Sequence, residues 1–121
     1  MRKNLDKNIT VALSASIVLY NNDIKEVKTA IRCVLESNLV SEMFLIDNSP
    51  SDKLKALKSM NPKRINYIFV GENIGFGRAH NIAIKKVLAS NYKYHIILNP
   101  DIEFKPGNLE ILFDYMEENL N

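Results

Sequence analysis

Cysteine is all but missing: Cys33 stands alone among 121 residues, which excludes an intrachain disulfide and a thiolate zinc cluster. A reducing cytoplasm suits such a chain best, and peripheral attachment at the inner face of a membrane is compatible with it. Histidine is scarce too, and His80 and His95 are too isolated to form a zinc site. His95, lying in an apolar run, is expected to be a hydrogen-bonded structural residue. Neither sign of charge dominates, because 16 Lys and Arg face 14 Asp and Glu and leave only +2. The basic residues are also spread along the chain, so nucleic acid is not an expected partner. No apolar run reaches the roughly 20 residues that span a bilayer. Walker strings, nucleophile-elbow strings, internal repeats and low-complexity tracts are absent as well. The opening MRKNLDKN followed by ITVALSASIVLY imitates an export signal, but Ser14 and Ser16 interrupt the apolar run. NNDIKE then stands where a small-residue cleavage site would be. The segment is expected to form a buried strand.

What is present is the composition of one soluble globular domain over residues 1–121, with 46% apolar and 25% charged residues. Apolar runs alternate with amphipathic stretches in the order βαβαβαβα. The first strand is expected from Val11 to Tyr20. Asp23 offers an N-cap with Glu26 at capping-box spacing, and the helix it opens carries Ile24, Val27, Ile31, Val34 and Leu35 on one face. Its stop is expected near Ser37 and Asn38. A second strand runs from Met43 to Asp47, and a short helix starting at Ser51 turns Leu54 and Leu57 inward before Asn61-Pro62 ends it. The third strand is Ile65 to Val70. The loop Gly71 to Gly75 leads to a helix bearing Ala79, Ile82, Ala83, Val87 and Leu88, with Lys85 and Lys86 on its solvated face. The fourth strand is Tyr94 to Leu98, and a last helix opening near Pro106 carries Leu109, Leu112, Phe113 and Met116.

Strands joined through helices run parallel, so all four end on one rim, the side of an open α/β sheet where ligands bind. Three segments meet there. In LIDNSPSD, Asp47 ends a strand; it either closes an Asx turn or presents a carboxylate to a base N–H or a ribose hydroxyl. In GENIGFGRAHN, Gly75 and Gly77 flank Phe76 at the start of a helix. They serve either as flexible residues for the turn or as a place where a diphosphate meets exposed N–H groups. The string is G-x-G-x-x-H after the third strand and so departs from a dinucleotide fingerprint. In YHIILNPDIEF, Asn99-Pro100-Asp101 stops the fourth strand abruptly, and Asp101 is either a solvated turn acid or a ligand for Mg²⁺ or Mn²⁺.

In this order and at these separations, SIVLYNN, LIDNSPSD, ENIGFGRAHNIAI and IILNPDIEF resemble the amino-terminal half of family 2 glycosyltransferases of the GT-A fold. The N-x-G-F-G-x-A-x-N string followed by L-N-P-D looks most like the branch containing bacterial rhamnosyltransferases and related surface-polysaccharide enzymes. The resemblance implies a Rossmann-like α/β sandwich with a mostly parallel sheet, a partial GT-A fold. It also implies transfer of a sugar, with inversion, from a UDP- or dTDP-linked donor to a glycan or lipid-linked acceptor. Tyr20 and Asn21 would line the nucleotide pocket, Asp47 with Asn48 would bind base or ribose, and Asn73, Gly75, Phe76 and Asn81 would shape the donor site. Asn99-Pro100-Asp101 falls at the D-x-D position, with Asp101 as the ligand of a divalent Mg²⁺ or Mn²⁺ and Asn99 in place of the first acid. His80 stands where many relatives carry arginine. No residue matches the carboxylate that deprotonates the acceptor hydroxyl; that base belongs to the carboxyl-terminal half of such enzymes, so this chain is expected to bind donor without turnover.

The alternative is an inactive α/β interaction or assembly module of the same fold, whose uncovered sheet edge would favour self-association. A receiver-like doubly wound domain would show a cluster of acids after the first strand, where this chain has Tyr20-Asn21-Asn22.

Overall fold

The computed structural model describes residues 13–119. Its four strands, β1 (Leu13–Leu19), β2 (Val40–Asp47), β3 (Ile65–Phe69) and β4 (Tyr94–Leu98), form one sheet in the order β3-β2-β1-β4. Every pairing is parallel. Between them lie α1 (Ile24–Leu35), a 3-10 helix (Lys53–Met60) and α2 (Phe76–Leu88), and α3 (Asn108–Glu118) follows β4. This is the alternating α/β architecture expected. Val11 and Ala12 of the expected first strand lie outside the described residues, and Tyr20 is a bend after β1.

The alternation of side chains along each strand sorts the core into two layers. Ala15, Ile17 and Leu19 of β1 with Met43 and Leu45 of β2 meet Val27, Ala30, Ile31 and Val34 of α1, Leu54 and Leu57 of the 3-10 helix, and Leu109 and Phe113 of α3. On the other face Phe44 and Ile46 meet Ala79, Ala83 and Val87 of α2. With both faces covered, β1 is buried almost throughout, the usual state of a central parallel strand. The chain adds strands outward from β1 to β3 and then crosses back to lay β4 on the far side of β1. The strand order therefore reverses between β1 and β4, and in open parallel sheets the carboxyl ends at such a reversal are where ligands bind.

Local chemistry accounts for most element ends. The Asp23 carboxylate accepts from the Lys25 N–H at 3.1 Å and caps α1. β2 starts three residues earlier than its continuous apolar run, because Val40 pairs with Leu13 and is fully buried although Ser41 and Glu42 follow it. The stretch opening after Ser51 is a 3-10 helix whose three-residue period keeps Leu54 and Leu57 in one row. α3 begins two residues beyond Pro106, after Gly107 at φ 91°, a left-handed residue that ends the preceding turn. Lys85 and Lys86 are exposed as expected.

Arg64 ties these elements together. Its guanidinium donates to the carbonyls of Leu35 at 2.9 Å, Ser37 at 2.6 Å and Val40 at 2.7 Å. It thereby supplies partners for carbonyls left open at the end of α1. Burial holds its pKa below the ordinary arginine value.

Candidate functional site

Because all four strands are parallel, Tyr20-Asn21-Asn22, Asp47-Asn48, the segment from Gly71 to Gly77, and Asn99-Pro100-Asp101 follow carboxyl ends on one rim. Tyr20 and Asn21 follow β1, and Asn99 and Asp101 follow its parallel neighbour β4. Tyr20, Asn21, Asn73, Phe76, Asn81, Asn99 and Asp101 are exposed. Tyr20 at 51% and Phe76 at 56% present large apolar faces to solvent.

Asp47 behaves differently. It is 0% exposed; one carboxylate oxygen accepts the Ser49 N–H at 3.0 Å and the other the Tyr67 hydroxyl at 2.5 Å. Two charge-assisted hydrogen bonds are what a buried carboxylate requires. Tyr67 records the arrangement from the other side: its phenol is pushed well above its ordinary pKa, first by burial and then by the hydrogen bond and charge of Asp47. Asp47 thus anchors the rim from beneath and reaches a ligand only by exchanging one of these partners.

The anchor propagates through Ser49, whose hydroxyl accepts the Asn21 N–H at 2.8 Å. Asn21 holds φ 50°, a left-handed conformation that asparagine tolerates better than most residues. The Tyr20 N–H meets the Asn22 side chain at 2.7 Å, and the Asn48 N–H bonds the Leu19 carbonyl at 2.8 Å. The loop after β1 is therefore locked to the loop after β2.

Asn48 links the next segment. It is 2% exposed, and its side-chain NH₂ lies 3.4 Å from Asn73 Oδ1 and 3.3 Å from the Gly75 carbonyl, while its own Oδ1 has no partner. Asn73 Oδ1 also accepts the Gly75 N–H at 3.0 Å. Gly75 adopts φ 92°, ψ 163°, a region essentially confined to glycine. This turn starts α2 at Phe76 with no side-chain cap, leaving first-turn N–H groups available for an anion.

Asp101 sits in an exposed turn after β4. Among the described residues no three His, Cys, Asp or Glu side chains gather into a metal-holding group. A divalent cation at Asp101 would have to take its remaining oxygens from water and ligand phosphates, a sharing that Mg²⁺ commonly accepts.

The Ser49 N–H on Asp47 is the Asx turn that was one of the two expected readings; sequence reasoning missed Tyr67 and the Ser49 hydroxyl. Tyr67 was detectable in principle, since it lies on the same sheet face as Asp47 by strand alternation, but only once the register Leu45↔Tyr67 is known. His95 is hydrogen-bonded as expected, to Ser14 and Ser16.

Residues 14–121 match glycosyl transferase family 2, and the chain belongs to that family. Among solved structures it is similar to the crystal structure of S. aureus TarS, at 15% identity and a TM-score of 0.72, a likeness of fold. The match covers 89% of this chain and 20% of that one, so the chain spans about one fifth of the length of TarS. No curated protein sequence matches it. No helix among the described residues is long and apolar enough to cross a membrane.

Proposed function

We propose that this chain binds a nucleoside-diphosphate sugar, UDP- or dTDP-linked, across the β1–β4 rim and supplies the donor half of an inverting glycosyltransferase. The observation that carries the proposal is the convergence of the three motif segments on one rim of a family 2 domain. Tyr20 and Asn21 line the base pocket. Asn48 Oδ1, buried and unpartnered, supplies an acceptor for a base or ribose donor, and Asp47 joins it on exchanging Tyr67 for ligand. Asn73, Gly75, Phe76 and Asn81 border the diphosphate and sugar at the start of α2. Asn99 and Asp101 face the diphosphate, with Asp101 giving one oxygen to Mg²⁺ or Mn²⁺, which would neutralise the departing nucleotide.

No residue of this chain is assigned as the base that deprotonates the acceptor, and the activity proposed for it is donor binding without turnover. The acceptor is a glycan or lipid-linked acceptor in surface polysaccharide synthesis, in keeping with the rhamnosyltransferase-like look of the motif strings, and the work is done in the cytoplasm or at the inner face of the membrane. Amide chemical-shift mapping with UDP and Mg²⁺ tests the site. Shifts should centre on residues 20–22, 48–49 and 73–78 and on Asn99 and Asp101; shifts confined elsewhere would overturn the assignment.

A second reading has one observation in its favour. Among the described residues β4 is a sheet edge, and beside it Ile111, Leu112, Tyr115 and Met116 of α3 are exposed. An assembly module would use that surface, and light scattering that rises with concentration would support it.

A further inference from the structure

Beneath the donor rim, on the α2 face of the sheet, runs a chain of four polar side chains for which nucleotide binding has no direct use. The Ser14 hydroxyl is 2.7 Å from His95 Nδ1, His95 Nε2 is 2.8 Å from the Ser16 hydroxyl, and that hydroxyl is 2.7 Å from His80 Nδ1. Ser14 and Ser16 are fully buried, His80 is 2% exposed, and His80 Nε2 has no partner. The four come from three elements, β1, β4 and α2. β4 leads to Asp101, and α2 opens with Phe76, whose ring meets His80 edge-on at 4.4 Å between centroids.

One hydroxyl proton on Ser16 constrains the whole chain, because Ser16 can donate to one imidazole only while accepting from the other. With both rings neutral, two proton orders satisfy every contact and keep the Ser16 hydroxyl proton within the chain. In one, Ser14 donates to His95, His95 to Ser16 and Ser16 to His80; in the other each bond is reversed. A second proton on His80 lies at Nε2, buried with no partner, and one on His95 leaves the Ser14 hydroxyl proton without an acceptor in the chain; either places an uncompensated charge in the cluster. We propose that Ser16, His80 and His95 form a positioning device for the donor site, which holds the first turn of α2 and Phe76 against β4 only while both imidazoles are neutral. The consequence for binding rests on the nucleotide-sugar reading above; the hydrogen-bond chain does not.

The surroundings favour neutrality. Phe44 lies beside His95 and Phe76 beside His80. Glu42, in register with Ser14, has its carboxylate engaged by the Tyr92 hydroxyl at 2.8 Å and the Asn66 amide at 3.1 Å. Arg78, Lys85 and Lys86 of α2 are exposed. Burial lowers the pKa of both histidines, and for His95 the charge of His80 lowers it further. Acidification therefore adds protons that the buried chain accommodates poorly.

The test compares the native chain with His80→Leu, which removes the bond to Ser16, and His80→Asn, whose amide can occupy the Nδ1 position. Three readouts are followed from pH 7.5 to pH 5: UDP titration with Mn²⁺, Phe76 ring proton shifts, and amide exchange over residues 76–81. Native binding should weaken in step with imidazole protonation. His80→Leu should bind about ten-fold more weakly at pH 7.5, on the order of one lost buried hydrogen bond, with faster exchange and a flat pH profile, while His80→Asn should recover most of the affinity. Native values of all three readouts in folded His80→Leu would overturn the proposal. Should His80→Leu not fold, the native pH series decides: a Phe76 environment unchanged while the imidazoles titrate contradicts it. Should the native chain bind no UDP, the donor reading fails, and exchange and Phe76 shifts alone judge the device.

Discussion

Replacing Tyr67 by phenylalanine separates the two roles that the rim gives Asp47. The substitution keeps the ring that packs against the core and deletes only the hydroxyl 2.5 Å from Asp47 Oδ2. The carboxylate is 0% exposed and keeps a single donor, the Ser49 N–H. A hydrogen bond to a charged group contributes about 1.5–3 kcal/mol, and partial entry of water would offset some of the loss. About 2 kcal/mol is therefore expected, a large share of a small domain's total stability. With a urea slope of roughly 1–3 kcal/mol per molar, the midpoint of unfolding at pH 7 should fall by about 1 M with an unchanged slope. UDP affinity should meanwhile stay at or above the native level, because the substitution frees the oxygen that a base or ribose would engage. A midpoint shift below about 0.2 M would show that the pair contributes little. A loss of UDP affinity alongside the stability loss would refute the exchange of Tyr67 for ligand at Asp47.

Other expectations follow from the same geometry. Asp101→Ala should abolish the enhancement of UDP binding by Mn²⁺ and leave metal-free binding nearly unchanged, as read by calorimetry; an equal metal response in the variant would remove Asp101 from the metal site. Arg64→Ala strands carbonyls of Leu35, Ser37 and Val40 and should cost about 2–4 kcal/mol in urea unfolding. Gly75→Ala meets no neighbour within 4 Å, yet forces a side chain into φ 92°, ψ 163°. A cost of about 1–3 kcal/mol is expected, together with weaker UDP binding. For His80 and His95 the folded pKa lies below the unfolded one, so the unfolded chain binds more protons in acid. Stability should fall as pH drops below about 6.5 and be unaffected by these groups above it, measured as thermal midpoints from pH 7.5 to pH 5.

Much of the fold was legible because the signals were periodic. The i, i+3, i+7 face from Ile24 to Leu35 and the unbroken runs ending at Asp47 and Leu98 each mark one element, and their alternation dictates parallel strands with a common rim. The position of β4 beside β1 was not legible, since strand order depends on which edge a crossover selects and no local pattern encodes it. The site was visible as strand-end motifs but not as contacts. Asp47 was open to two readings, an Asx turn or a carboxylate presented to ligand; it closes the turn, and Tyr67, twenty residues away in sequence, seals it by a tertiary contact. Ser14 and Ser16 looked like interruptions of an apolar strand; they are the partners of His80 and His95 across long separations.

The central claim is that a nucleotide binds at the β1–β4 rim. Calorimetric titration of the folded chain with UDP, with and without Mn²⁺, tests it most directly. Saturable one-site binding that tightens with Mn²⁺ is the predicted result; no binding heat in either condition, from a sample whose circular dichroism shows the α/β fold intact, would contradict it.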